Sequence, residues 1–507
     1  METVSVFPKI SIEIFNEVRK YKSCFAKKSK DHLSNIREIF RGSLFQKESF
    51  LTSIGKNVSS ETLPRTLCSA FSNTIGKINL EKMQDIYIKN KGKCFKNEKT
   101  FLFIDGGDIN KKYSPIEPFS KEEDFGNSYK RKNDKNYPLE KVCGNIDGSE
   151  GHIVGKGYYL ENIVGYGETS KQIHPLHLHL YSTQEKEYKS AFDEQKKGLK
   201  KITKNLPPSS FDRVVVEDRG GDDISKYAWY FGHELYTESK AEQRIRDLKE
   251  STMPEKEKGS QKEKENLAKF SFLTRMNSHW RSRKMIEEET GELISVADIA
   301  GRAKRDKQLG AERKWKNKHA KNPKYKNKEI TSQIGYTTVF LKEFPQIPLT
   351  LIYVWSDVYE EPLLLLTDQK VFSKKKAWDY FFVYTKRWEA EKMYRELKTN
   401  FGLEKIRVRS LAKQKTFAFL LMMVWSFSKK LHQKKKEILG FGIRVFNTFL
   451  KRNQKKNIPI SFLSFLREKI QPLSETYSHR NFSQHFSVLR LPPNDSQLSF
   501  FPRSRMS

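Results

Sequence analysis

The chain has 507 residues, enough for several domains and a sizeable core. Its 95 Lys and Arg outnumber 62 Asp and Glu, and the resulting charge of +33 is spread along the length, which favours a polyanionic partner such as nucleic acid. The four cysteines, Cys24, Cys68, Cys94 and Cys143, show no Cys-x-x-Cys pairing, which excludes a zinc ribbon and a disulfide framework and makes a reducing cytoplasm the expected compartment.

The opening METVSVFPKISIEIF lacks the charged-then-apolar layout of a signal peptide. Residues 1–95 alternate short apolar clusters with Ser and Lys and are expected to form a helical region, a candidate DNA-binding domain. KTFLFIDGGDI then reads as a buried strand that stops at Asp105 before a glycine turn. GHIVGKGYYLENIVGYG, residues 151–167, reads as a hairpin with its GKG and GYG fragments as turns, and HPLHLHLYS as a further strand. Leucine alternation sets the histidines of HPLHLHL on one strand face, where they are expected to be structural or surface groups.

Residues 187–206 form the next helix. FDRVVVEDRGGDD supplies a second buried strand, Val214–Val216, ending at Asp218, and ISKYAWYFGHEL a second helix. The charged stretch 249–269 is expected to be a mobile loop. KFSFLTRM returns to strand. Residues 302–328 carry twelve Lys or Arg and two acids around Trp315 and Tyr325, which suits a DNA-backbone surface as well as a basic loop. GYTTVFLKEF, PLTLIYVW and EPLLLLT are three more β segments, and Ser373 caps the helix that follows. Residues 410–470 read as helical, with TFAFLLMMVW too short to cross a bilayer and therefore a buried helix. From about 473 the tail reads as poorly ordered.

One stripe stands out in YTKRWEAEKMYRELK. At about 100° per residue, Tyr384, Arg387, Glu391 and Lys398 fall within roughly 60° of arc. Val383, Ala390, Met393, Leu397 and Phe401 take the opposite, core-facing side. A single carboxylate is thus set between two cations and a phenol. A solvated charged face is the plain alternative.

Asp105 and Asp218 each end an apolar strand, at the rim where sites on α/β sheets are usually built. Each also has the ordinary reading of a turn or capping residue, with Asp108 and Asp222 as neighbours that bond locally. If Glu391 reaches the same rim, three carboxylates converge and need a cation. Mg²⁺ or Mn²⁺ fits, because hard cations take oxygen ligands, and a pair of ions clamps the attacking and leaving oxygens of a phosphodiester displacement.

The spacing Tyr-x2-Arg-x3-Glu-x6-Lys resembles the signature of the cut-and-paste bacterial insertion-sequence transposases of the DDE type. In chain order, FIDGGDI looks like that family's first-aspartate strand, VVVEDRGGDD like its second, FSFLTRM like its Phe-x-x-Arg strand and EPLLLLTDQKV like its approach to the glutamate helix. The resemblance spans about residues 95–430. It implies an α/β chain with an RNase H-like core, interrupted by a β-strand-rich insertion between Asp218 and Glu391 and flanked by helical N- and C-terminal regions.

The boundaries expected are 1–95 for the N-terminal region, 96–281 for the first part of the core, 282–371 for the insertion, 372–405 for core completion, 406–472 for the C-terminal helices and 473–507 for the tail. The resemblance implies Asp105, Asp218 and Glu391 as catalytic and metal-holding acids, with Asp105 preferred over Asp108 because it directly ends the apolar run. It implies Tyr384, Arg387, Lys398, Trp388 and Arg275 as contacts to the DNA backbone, and a homodimer that joins two element ends before cutting them. The expected partners are the terminal inverted repeats and target DNA, met in the bacterial nucleoid. The alternatives are a repressor-like relative without chemistry and a plain metal-dependent nuclease.

Overall fold

The computed structural model describes residues 6–25, 29–45, 64–110, 144–147, 154–209, 211–232, 270–276, 283–305, 312–316, 329–358, 360–406, 408 and 410–434. The stretch 249–269, the tail from 473 and most of 302–328 lie outside them. Two compact units divide the chain, one of Met1–Met83, Glu117–Glu140 and Glu396–Ser507, the other of Gln84–Ile116 and Lys141–Arg395.

Four helices come first: α1 (Val6–Arg19), α2 (Ser29–Phe45), α3 (Pro64–Gly76) and α4 (Leu80–Gly92). The sheet begins with β1 (Thr100–Asn110), β2 (Gly144–Asp147), β3 (Val154–Gly167) and β4 (Ile173–Tyr181). Then follow α5 (Ala191–Asn205), β5 (Arg213–Glu217), α6 (Ile224–Tyr230) and β6 (Ser271–Arg275). Next are β7 (Lys284–Glu287), β8 (Leu293–Ser295), α7 (Val296–Arg305), β9 (Arg313–Lys316), β10 (Glu329–Leu341), β11 (Phe344–Ser356) and β12 (Leu363–Thr367). Three helices close the chain: α8 (Lys374–Lys386), α9 (Trp388–Asn400) and α10 (Leu411–Gln433).

In the first unit, Ile10, Ile14 and Val18 recur every fourth residue of α1 and are all buried, which gives that helix its inward stripe. The apolar run expected as a buried helix lies in α10, where Phe417 to Val424 are buried without interruption. Phe427 meets Phe40 of α2 edge-on, with ring centroids 6.2 Å apart. Among the described residues no helix is long and apolar enough to cross a membrane.

The second unit is built on one sheet of twelve described strands, in the order β2-β3-β1-β5-β6-β12-β11-β10-β7-β8, with β4 on β3 and β9 on β10. β1 runs antiparallel to β3 and parallel to β5, and β5 runs parallel to β6. The strands expected in the insertion therefore continue the same sheet, through β12 paired antiparallel with β6. One face is covered by α5, α6 and α7, whose Leu199, Ile202, Tyr230, Ile299 and Ala303 join Leu102, Ile163, Val215 and Phe272 of the strands in a buried core. Alternation sends Phe101, Phe103 and Asp105 to the opposite face.

Three local expectations are corrected. β1 does not stop at Asp105; it pairs with β3 as far as Asn110, and only its pairing with β5 ends at Phe103. Residues 154–167 form one long strand rather than a hairpin, and the GYG fragment lies inside it. Its glycines serve close packing, since a Cβ on Gly165 would sit 2.8 Å from Leu176 and Phe95 side-chain atoms. Finally, the stripe-bearing helix is two helices that meet at Arg387, where three-residue turns (Arg387 N–H to the Tyr384 carbonyl, 3.0 Å; Ala390 N–H to the Arg387 carbonyl, 2.9 Å) replace the α-helical ladder.

The Ser373 cap is as expected: its hydroxyl accepts the Lys376 N–H at 3.2 Å. His177 and His179 stack on one strand face with centroids 5.9 Å apart. His174 has the opposite parity, and a register shift opposite Ile163 and Val164 lies between it and the other two.

Candidate functional site

Asp105 projects from β1, Asp218 immediately follows β5, and Glu391 lies in the first turn of α9. Far apart in sequence, all three reach the same guanidinium. Arg387 donates from Nη1 to Asp105 Oδ1 at 3.4 Å, and from Nη2 to Asp218 Oδ2 at 3.2 Å and Glu391 Oε1 at 2.8 Å. The Tyr384 hydroxyl donates to Asp218 Oδ1 at 2.9 Å, and Arg275 Nη1 stands 3.7 Å from the same oxygen. Parallel pairing explains the placement, because β1 and β5 lie side by side and Arg275 ends the next strand.

The stripe faces inward, contrary to its expected position opposite the core. Tyr384 and Arg387 are only 5% and 4% exposed. The arc from Tyr384 to Glu391 is a buried wall against the acids. The change of geometry at Arg387 lets it coexist with the buried Ala390, Met393 and Leu397. Trp388 opens α9 and is partly buried. Lys398 forms an ion pair with Glu404 at 2.8 Å.

Electrostatics differ sharply between the two aspartates. Burial, reinforced by Glu391 and Asp218, pushes the Asp105 carboxyl up to about 7 against the pull of Arg387. Burial would raise Asp218 too. Arg387, the Tyr384 hydroxyl, the Arg219 backbone and Arg275 overcome it and hold that carboxyl below its usual value. Burial, then the charge of Asp218, pushes the Tyr384 phenol up to about 12, so it remains a donor at neutral pH.

The rival acids behave differently. Asp222 is buried, accepts the Tyr227 hydroxyl at 2.8 Å and pairs with Arg283. Asp223, rather than Asp222, caps α6. The backbone carbonyl of Asp108 accepts the hydroxyl of Tyr394.

Three residues escaped the sequence reading. Tyr394 lies along the part of β1 that β5 no longer covers, and its ring is 2.7 Å from where a Gly107 Cβ would stand. Gly107 is therefore a place of close approach within a strand, not a turn. Asn162 is the register partner of Asp105 and is fully buried, with neither Oδ1 nor Nδ2 hydrogen-bonded. Only the pairing of β1 with β3 exposes its relevance; nothing in the string YYLENIV signals it.

Among the described residues, no group of three or more His, Cys, Asp or Glu is spaced to hold a metal ion. The three carboxylates are arranged around Arg387 instead. Their chemistry, three oxygen donors with Asp218 42% and Glu391 23% exposed at the side chain, still suits a hard divalent cation.

No family model matches the chain. No curated protein matches it either. Among solved structures, the NurA nuclease from Sulfolobus solfataricus is similar at 11% identity over 70% of this chain and 93% of that one, with a TM-score of 0.20. The Drosophila P element transposase strand transfer complex is similar at 8% identity over 50% of this chain and 48% of that one, with a TM-score of 0.17. At such TM-scores neither likeness bears on fold or function.

Proposed function

We propose that this protein is a DDE-type transposase that cuts DNA at the ends of an insertion sequence and joins the freed 3′ hydroxyls to target DNA. The observation that carries the reading is the meeting of Asp105, Asp218 and Glu391 at one guanidinium on one sheet face. The strand order β4-β3-β1-β5-β6, with three antiparallel neighbours followed by two parallel ones, also supports an RNase H-like core.

In this reading Asp105, Asp218 and Glu391 hold Mg²⁺ or Mn²⁺, which when bound supplies stabilisation of the attacking and leaving oxygens. Tyr384 orients Asp218 by its hydrogen bond, and Arg275 supplies positive charge at the same carboxylate. Lys398, Trp388 and Arg387 hold backbone phosphates of the DNA end, Arg through its fork and Lys as a point charge. A homodimer brings two ends together. The charge of +33 supplies non-specific attraction for the duplex.

The test uses labelled duplexes carrying the DNA that flanks the coding region on either side, incubated with the protein and Mg²⁺. Cutting at short inverted repeats followed by joining to a second duplex is the expected result. Cutting without joining would make the protein a nuclease, and binding without cutting a repressor-like relative.

A further inference from the structure

Arg387 faces three carboxylates through two nitrogens while buried to 4% exposure, and its Nε has no hydrogen-bond partner. A guanidinium cannot discard its charge to suit a new neighbour. Ligation of a divalent cation at about 2.0–2.1 Å needs the same inward-facing carboxylate oxygens that now accept from Arg387. Placing both cations there would set like charges against each other in a partly desolvated site. The two arrangements are mutually exclusive.

A second feature points the same way. Asn162, beside Asp105 on the same sheet face, is fully buried with both polar atoms unpartnered. A buried carboxamide without partners is costly. It is placed to take the Asp105 oxygen that Arg387 would release.

Resting on the proposed metal-dependent chemistry, we infer that Arg387 is a displaceable internal counter-ion. It holds the three acids together before a divalent cation binds, yields the carboxylates to that cation, and is thereby freed to grip a DNA phosphate. The junction between α8 and α9 is where this exchange occurs. Arg387 sits between two helical segments, so its side chain can swing without unwinding either one.

The experiment measures Mn²⁺ binding to the full-length protein without DNA, by calorimetry and by the paramagnetic resonance of free Mn²⁺. Wild type, R387Q, D105N and the R387Q/D105N double variant are compared, with circular dichroism to verify folding. R387Q should bind Mn²⁺ on the order of tenfold more tightly than wild type, because a competing cation is gone. In chelator it should melt below wild type, and Mn²⁺ should raise its melting temperature by more than it raises that of wild type. D105N should cancel the gain.

Equal or weaker Mn²⁺ binding by folded R387Q, with wild type binding and D105N impaired, overturns the counter-ion role and leaves the proposed function standing. No Mn²⁺ binding by any of the four removes the metal reading and this inference together. Should R387Q fail to fold, R387K decides: a single ammonium cannot bridge three acids, so tighter binding than wild type is expected and unchanged binding overturns the idea.

Discussion

Glu391 and Gly107 show how differently single residues can be read. The glutamate was legible from spacing alone, because a period of 3.6 fixes which neighbours share its helix face. Glu391→Gln should keep DNA binding and abolish cleavage in a gel assay with Mg²⁺; cutting at the wild-type rate would remove it from the chemistry. Gly107 was misread as a turn because two consecutive glycines usually punctuate a chain. Its requirement comes from Tyr394, distant in sequence. Gly107→Ala should therefore force the Tyr394 ring aside and lower both melting temperature and cleavage, whereas Gly106→Ala, whose Cβ would meet nothing within 4 Å, should leave the melting temperature near wild type.

Glu161 was equally silent in the sequence. It is buried beside His177 on the face of the sheet covered by α5, and its Oε1 has no partner. Burial, then the charge of Glu217, pushes its carboxyl up to about 8. The folded protein thus keeps a proton that the unfolded chain loses above about 4.5. Stability from this group is present at low pH and lost as pH rises toward 8. Burial pushes His177 far below 6.5, which acts in the opposite sense but only below that pH. Between pH 6.5 and 8, Glu161 should cost about 2 kcal/mol of stability. Denaturant melts of Glu161→Gln across that interval should show a flatter pH dependence than wild type; an equal slope would show the carboxyl ionises freely.

At the scale of elements, most helices and strands were legible because each satisfies its own local rule. The Ser373 cap, the alternation of β4 and the unbroken apolar run of α10 are local signals. Ser373→Ala should cost about 1 kcal/mol, read as a lower melting temperature, since the Lys376 N–H would lose its acceptor. The failures also occurred at this scale. β3 looked like a hairpin because its glycines suggested turns, yet they lie in a strand flanked by β1 and β4, where they admit large neighbours. The stripe helix looked continuous because its angular count survives a single tightened turn. Only the geometry at Arg387 shows where one helix ends.

For the whole molecule, the excess of positive charge calls for binding that weakens steeply with salt. The basic stretch 302–328 begins within α7 and includes β9, which pairs with β10. Deleting it would therefore remove a strand as well as charge. Replacing Lys318, Lys321, Lys324, Lys326 and Lys328 together by Gln separates the two effects. The slope of log affinity against log salt should become shallower, and an unchanged slope would show that these lysines contact no phosphate.

The sequence by itself determined the elements, the basic character and the identity of three separated acids with their flanking cations. These follow from periodicity and composition, which act over a few residues or over the chain as a sum. Tertiary structure alone decided that the acids meet at Arg387, that Tyr394 demands Gly107, and that Asn162 and Glu161 are buried without full partners. Such facts depend on which strands lie side by side. Pairing between β1, β3 and β5 joins residues that no local period connects.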